Sequence, residues 1–251
     1  MSNELNEFYS LRADSISNLC QSQDLQNMGV KLMRDSAPHR YAYNFDWLGI
    51  PAIQLPTDLV AMQEIIWAYK PEVIIETGVA HGGSLVFYAS MLTLLGNNGF
   101  VVGVDIEIRK HNRDVLESHP MYEKIKLVEG SSISSDTLAN IQELVGSRRS
   151  LVVLDSDHSK DHVLQELYAY EQFVGVGGYI VVMDTTLEDQ PDNFIVNRPW
   201  NRLNNPKTAV REFLNSRPGQ WLADRKIDGK LLMTVCREGF LQKISESVEN
   251  D

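Results

Sequence analysis

The feature that most constrains the fold is a series of five short apolar segments, each separated from the next by a segment of helical character. The apolar segments are residues 72–77, 100–105, 124–130, 151–155 and 177–184. Strands that are apolar on both faces and alternate with helices are typical of a parallel sheet covered on both sides. Because such crossovers are right-handed, the sequence predicts an α/β fold with a doubly wound, mostly parallel sheet.

The two ends of the chain depart from this alternation. Apolar residues at helical spacing in the first 20 positions predict one or two amphipathic helices. The aromatic stretch 41–47 predicts an edge strand, a lid over a pocket, plain packing or a subunit contact. Near the other end, Asp228-Gly229 separates the apolar segments 221–226 and 231–236, and this dipeptide favours a hairpin turn. The sheet is therefore expected to end in an antiparallel hairpin.

These patterns predict three regions along the chain. Residues 1–50 form a helical and lid extension, residues 51–240 form the α/β domain, and residues 241–251 form an acidic tail.

The composition excludes several classes of protein. The 251 residues carry 23 Lys and Arg against 34 Asp and Glu, a net charge of −11, which argues against nucleic acid or anionic membrane as the main partner. The two cysteines, Cys20 and Cys236, have neither zinc-site nor disulfide-framework spacing. No signal peptide or transmembrane segment is recognisable. A cytoplasmic location is the expectation.

A nucleoside site is predicted where the first two strands of the sheet end. The first strand runs into a glycine-rich loop, and the second strand ends in Asp105, whose carboxylate suits the two hydroxyls of a ribose. The expected binding residues of the first strand and its loop are Glu76, Thr77, Gly78, His81, Gly82, Gly83 and Ser84. His81 has a structural role as its alternative.

The ligand of this site is better matched by S-adenosylmethionine (SAM) than by a dinucleotide. The loop reads GxxxGG rather than GxGxxG, and Asp105 lies 27 positions after Gly78 rather than about 20. A carboxylate at Glu76 opposes a diphosphate but suits the amino group or sulfonium of SAM. The alternatives are an NAD(P)-dependent oxidoreductase and a glycine-rich turn without a ligand.

The motifs together resemble the class I SAM-dependent methyltransferases, and more closely the cephalosporin hydroxylase / rhamnosyl O-methyltransferase family. The resemblance covers about residues 50–237, through the segments ETGVAHGGSL, GVDIEIR, VEGSS, VLDSDHSKDHV and GGYIVVMDT. It implies that the first loop holds the methionine part of SAM and that Asp105 holds the ribose. It also places Ser131 and Ser132 beside the adenine.

A divalent metal site is predicted at the ends of the fourth and fifth strands. Asp155 and Asp184 end neighbouring strands, and two carboxylates so close repel each other unless a cation intervenes. Mg²⁺ suits these oxygen ligands and would orient the oxygens of a diol or hydroxy-carbonyl substrate. The alternative is that the two acids cap loops or pair with Arg198 or Arg202.

The resemblance supports a metal but also shows one departure. Metal-dependent members of the family have a Glu-Asp pair after the fifth strand, and here this pair reads Met183-Asp184. Asp157, Thr185 or Glu188 would have to compensate. We expect Thr185 among the metal ligands and Asp157 among the cofactor-binding residues.

His158 is the expected general base, with Asp155 as the second catalytic residue. Related sugar O-methyltransferases have a D-x-x-H motif here, and imidazole accepts a hydroxyl proton at neutral pH. Helix capping or packing on adenine is its alternative. His162, one turn further, is an additional metal-ligand candidate. The long segment 185–206 follows the fifth strand, and its residues Phe194, Arg198, Trp200 and Arg202 are expected to cover the site. The alternative is that this segment is an interface or a surface loop.

The sequence therefore predicts a Mg²⁺-assisted SAM-dependent O-methyltransferase. Its acceptor is expected to be a small molecule that carries a hydroxyl, of a sugar-bearing or polyketide type, and a homo-oligomer is plausible. The rival hypotheses are a catalytically silent SAM-binding assembly or regulatory protein and a SAM enzyme of another reaction type.

Overall fold

The N-terminal extension forms two helices and a small two-stranded sheet. A computed structural model describes residues 3–191 and 198–246. The first elements are α1 (Asn3–Gln21), α2 (Gln23–Ser36), β1 (Asp46–Trp47) and β2 (Ile50–Pro51). Trp47 donates to Ser90 Oγ (3.0 Å), and its ring meets that of Phe87 at 4.8 Å. Of the alternatives for residues 41–47, packing is the one that the contacts of Trp47 support.

The five predicted parallel strands are present and alternate with helices. The elements that follow the extension are α3 (Pro56–Tyr69), β3 (Val73–Thr77), α4 (Gly83–Leu94), β4 (Phe100–Asp105), α5 (Lys110–Glu117), β5 (Ile125–Glu129), α6 (Ser135–Val145), β6 (Ser150–Leu154), α7 (Lys160–Tyr170) and β7 (Tyr179–Val182). The parallel strands lie in the order β5-β4-β3-β6-β7. The chain turns back at the boundary of β3 and β6, the point where ligands bind in open sheets.

The core lies on both faces of this sheet, because each strand supplies apolar side chains to both. On β3, Ile74 belongs to the apolar cluster that contains residues of α3 and α4, and Ile75 belongs to the cluster that contains residues of α6 and α7. Both isoleucines are fully buried. Burial on both faces explains why these strands have no polar alternation in the sequence.

The sheet ends in an antiparallel pair, as predicted, but one of its two strands is not the predicted one. The last elements are α8 (Pro206–Ser216), β8 (Trp221–Ala223), α9 (Arg225–Lys230) and β9 (Phe240–Lys243), and the order continues β7-β9-β8. Residues 231–236 form no strand. Asp228-Gly229 lies in α9, because Asp224 caps this helix by accepting the N–H groups of Lys226 and Ile227.

Part of the predicted acidic tail, residues 241–251, belongs to the sheet. Residues 241–243 belong to β9, which pairs with both β7 and β8. Residues 247–251 lie outside the described part of the chain. Among the residues that are described, no helix is long and apolar enough to cross a membrane.

Candidate active site

The glycine-rich loop after β3 is held against the loop after β6. Thr77 pairs with Leu154 in the sheet, so Gly78 lies beside Asp155. Gly78 has φ +91°, and a Cβ there would lie 2.1 Å from the Asp155 carbonyl oxygen. A Cβ on Gly83 would lie 2.3 Å from the carbonyl oxygen of Pro51. The loop therefore needs glycine both for its backbone conformation and for close approach.

We expect Gly78→Ala to destabilise the fold by about 3 kcal/mol, since it adds backbone strain to an overlap with backbone that cannot move away. Gly96→Ala is the matched control, because Gly96 also has positive φ (+69°) but a Cβ added to it would have nothing within 4 Å. It should cost about 1 kcal/mol. Urea unfolding of both variants measures the difference, and equal losses would show that the contact with Asp155 is unimportant.

Glu76 is a fully buried carboxyl group at the end of β3. Its Oε2 accepts a hydrogen bond from Ser84 Oγ (2.6 Å), and its Oε1 has no hydrogen-bond partner among the described residues. Burial raises the pKa of Glu76 to about 8, against the opposing effect of the Ser84 hydroxyl. An orphaned buried oxygen of this kind can accept a hydrogen bond from a ligand group.

Asp105 joins the end of β4 to the same loop. Its Oδ2 accepts the N–H of Val79 (2.8 Å), and its Oδ1 accepts the N–H of Glu107 (3.2 Å). These bonds place the carboxylate at the mouth of the loop with lone pairs to spare. His81 is exposed on the loop.

The two serines of the loop after β5 lie in different environments. Ser131 is half-buried, as a ligand contact requires, but Ser132 is buried and its Oγ lies 3.1 Å from His162 Nε2. His162 Nε2 also lies 3.3 Å from Ser156 Oγ and 3.4 Å from the buried carboxylate of Glu166. Through His162, Ser132 thus connects the loop after β5 with the loop after β6. His162 belongs to this hydrogen-bonding network and not to the cluster of metal-ligand candidates.

Asp155, His158 and Asp184 form the chemical centre of this edge of the sheet. Each offers one ligand atom, and the three atoms lie within 4.8 Å of one another. His158 Nε2 is 3.3 Å from Asp184 Oδ2. The cluster exists because β6 and β7 are neighbours: the N–H of Met183 donates to the Leu154 carbonyl (3.0 Å), which aligns the residues that follow each strand.

The charge of this centre is unbalanced in the absence of a cation. Burial, then the nearby carboxylates of Asp184 and Glu76, raise the pKa of Asp155 well above its usual range. A divalent ion would remove the repulsion, and two carboxylate oxygens are ligands that Mg²⁺ accepts. The residues present therefore fit a metal.

The family of the chain follows from comparison with known proteins. The model of the family described as rhamnosyl O-methyltransferase/CmcI matches residues 39–244.

The chain belongs to this family.

Individual relatives support the assignment. The rhamnosyl O-methyltransferase of Mycobacterium leprae (strain TN) is 28% identical over 197 residues, covering 78% of this chain and 81% of the relative. That of Mycobacterium tuberculosis (strain ATCC 25618 / H37Rv) is 28% identical over 214 residues, covering 81% of this chain and 82% of the relative. The solved structure titled cmcI-D160 Mg-SAM has a TM-score of 0.55 at 17% identity, and the match covers 81% of this chain and 78% of that structure.

Family membership confirms the resemblance, and the shared fold confirms the class I methyltransferase architecture. The protein is a SAM-dependent methyltransferase, as the sequence predicted.

The departure from the family at Met183 has a structural explanation. The Met183 side chain is 2% exposed and lies in the core, with its Sδ 3.1 Å from Cys236 Sγ. Asp184 follows in a left-handed conformation (φ 54°), which turns the chain so that this side chain, rather than that of Met183, reaches the cluster.

Thr185, predicted as a metal ligand, is better explained as a structural residue. It is fully buried, and its hydroxyl donates to the carbonyl of Val235 (3.2 Å). Asp157, predicted to bind the cofactor, accepts the Ser159 N–H (2.7 Å) at the start of α7. Desolvation acts to raise the pKa of Asp157, but the bonds from Ser159 and the nearby His162 and His158 together lower it.

The segment 198–204 covers part of the cluster. The rings of Trp200 and His158 meet edge to face at 5.0 Å, and the Arg198 guanidinium lies 5.2 Å from the Trp200 ring centroid. Arg202 donates to the Glu188 carbonyl. Among the described residues, no ion pair joins either arginine to Asp155 or Asp184. Phe194, predicted to line the same wall, lies outside the described residues.

Sequence reasoning missed Asp58, a buried acid behind the cluster. It lies in the first turn of α3, and its Oδ2 accepts the N–H of Val235 (3.0 Å). The carbonyl of Val235 in turn accepts the hydroxyl of Thr185. Burial raises the pKa of Asp58 to about 7. An acid in a first helical turn is ordinary, so its only signal was that the surrounding helix is largely apolar.

Proposed function

We propose that the protein transfers the methyl group of SAM to a hydroxyl of a small-molecule acceptor, with assistance from Mg²⁺. The observation that most supports this proposal is that the Asp155–His158–Asp184 cluster lies directly beside the Gly78 loop, because Gly78 contacts the backbone of Asp155. A donor loop and a set of acid and base groups in contact are what methyl transfer to oxygen requires.

The donor side of the site follows from its polar groups. Glu76 would accept a hydrogen bond from the amino group of SAM, and Asp105 would accept hydrogen bonds from the ribose hydroxyls. Loop residues Gly78–Ser84 and half-buried Ser131 would surround the rest of the nucleoside. The free N–H groups at the start of α4 suit the SAM carboxylate, because a helix N-terminus attracts anions.

The acceptor side rests on the cluster. Asp155 and Asp184 would hold Mg²⁺, which when bound lowers the pKa of an acceptor hydroxyl and orients it. His158 would take the hydroxyl proton, and its contact with Asp184 Oδ2 (3.3 Å) stabilises the imidazolium that forms. Transfer from a sulfonium neutralises charge, so positioning in a site shielded from water is the main requirement.

The acceptor is proposed to be a sugar-bearing or polyketide-type natural product. The named relatives are rhamnosyl O-methyltransferases. In this chain the half-buried indole of Trp200 lies over His158, where the apolar face of a sugar ring would pack. A vicinal diol on that ring would present its two oxygens toward Asp155 and Asp184.

The test is a calorimetric titration of SAM at several pH values, with and without Mg²⁺. Glu76 has a pKa near 8 in the free protein and would be ionised when it meets the ammonium group. Binding then releases a proton, so affinity should rise as the pH rises from 6 to 7.5, by up to tenfold per unit. Glu76→Gln should weaken binding about tenfold at pH 7.5 and flatten this dependence.

Glu72→Gln is the matched control, because Glu72 precedes β3 at the opposite edge of the sheet and is exposed. It should leave both the affinity and its pH dependence unchanged. Absence of SAM binding in the wild-type protein under all of these conditions would overturn the proposal. Binding without any methyl transfer to hydroxylated acceptors would favour the silent SAM-binding alternative, which the missing glutamate at Met183 supports.

A further inference from the structure

The N-terminal extension carries a disproportionate share of the exposed apolar surface. Among the described residues, 20 large apolar side chains are exposed, and nine of them lie before residue 44. Helix α1 has no buried residue over its 19 positions. Monomers rarely leave a contiguous apolar patch of more than a few hundred Å², so this concentration indicates an interface.

The body of the protein supports only part of α1. Near its end, α1 packs on α9, where a Cβ on Gly229 would lie 2.8 Å from Cys20 Cβ. Helix α9 has six residues and spans about 9 Å, whereas the 19 residues of α1 span about 28 Å. Phe8 and Tyr9, 58% and 48% exposed, lie on the part of α1 that extends beyond this contact.

Helix α2 has one face against the body and a second apolar stripe. Gln26 and Gly29 are its buried residues, and a Cβ on Gly29 would overlap the backbone of Leu232. Leu25, Met28 and Leu32 are 37%, 64% and 53% exposed. Their spacing of three and then four residues is that of the seam between two packed helices.

The charges beside this stripe match a second copy of the same helix. Asp24 and Lys31 each precede a stripe residue by one position and lie on the same flank, seven positions apart. Within the helix, Lys31 also pairs with Asp35, one turn further on. In an antiparallel pair related by a two-fold axis near Met28, Asp24 of one copy would face Lys31 of the other, and the reverse. Both ion pairs come from one symmetry operation.

We propose that two copies of this chain associate through an antiparallel pairing of their α2 helices along Leu25, Met28 and Leu32. The exposed Phe8–Tyr9 end of α1 would add apolar area toward the roughly 800 Å² per subunit that a stable dimer buries. An anionic lipid surface fits less well, because the protein has a net charge of −11 and α1 carries Glu4, Glu7 and Asp14.

The first test is a disulfide cross-link at the two-fold axis. Met28→Cys, in a Cys20→Ser background, should give a covalent dimer under mild oxidation. Val115→Cys is the matched control for random collision, since Val115 is 48% exposed on α5 outside the patch, and it should give no covalent dimer. No more cross-linking at Met28→Cys than at Val115→Cys would overturn the proposal.

The second test is sedimentation velocity on the full chain. The wild-type protein should sediment as a dimer or a multiple of one, and Met28→Lys should dissociate this contact. Asp24→Lys and Lys31→Glu should each weaken the contact, and the double variant should restore it. Circular dichroism and SAM titration report folding independently. A monomeric wild type, or an oligomer that Met28→Lys leaves intact, would contradict the assignment.

Discussion

Asp184→Asn should abolish detectable Mg²⁺ binding and lower methyl transfer about 10³-fold while SAM affinity changes less than about threefold. The substitution removes one of two carboxylates that would hold the ion, and several kcal/mol of transition-state stabilisation depend on the metal. The proposed SAM contacts follow β3, β4 and β5, on elements other than the one that carries Asp184. Calorimetry with Mg²⁺ and with SAM, followed by transfer of a labelled methyl group, measures the three quantities separately.

The matched control for this variant is Asp161→Asn, which removes an exposed carboxylate from the first turn of α7. It should retain wild-type metal affinity and turnover. If Asp184→Asn binds Mg²⁺ as tightly as the control does, Asp184 is not a ligand and the metal-assisted mechanism is wrong.

His158→Ala should lower the maximal rate by about 10²–10⁴-fold, the usual contribution of a general base. Because Mg²⁺ prefers oxygen ligands, metal affinity should stay within about threefold of wild type. Rates of methyl transfer at saturating SAM, combined with Mg²⁺ titrations, measure the two quantities separately.

His111→Ala, which removes an exposed imidazole from α5, is the control and should behave as wild type. A variant at His158 that loses Mg²⁺ binding together with activity would identify this side chain as a metal ligand instead of the base. Full activity in the variant would assign proton removal to another group.

The parallel part of the fold and the placement of its acids could be predicted because both depend on local pattern. Each buried strand is a continuous apolar run, and the carboxyl ends of neighbouring parallel strands meet at one edge of the sheet. That rule alone brings Asp155 next to Asp184 and Gly78 next to Asp155. Their roles remain predictions that the variants above test.

What could not be predicted depends on contacts between distant parts of the chain. The hydroxyl of Thr185 donates to the carbonyl of Val235, 50 positions further on, and the hydroxyl of Ser132 lies 3.1 Å from His162 Nε2, 30 positions further on. The last strand was misplaced for the same reason. Residues 231–236 are as apolar as a strand, but Asp224 stabilises a helix before them and β9 fills the place beside β7.

The contact between Gly78 and the Asp155 carbonyl has a consequence for attempts to redesign this enzyme. The loop that would receive the methyl donor and the loop that would activate the acceptor share a backbone surface with no room for a side chain. Substitutions made in one loop to admit a bulkier donor will therefore change the effect on activity of substitutions in the other loop. Libraries that vary both loops together should yield active variants that sequential optimisation of either loop does not reach.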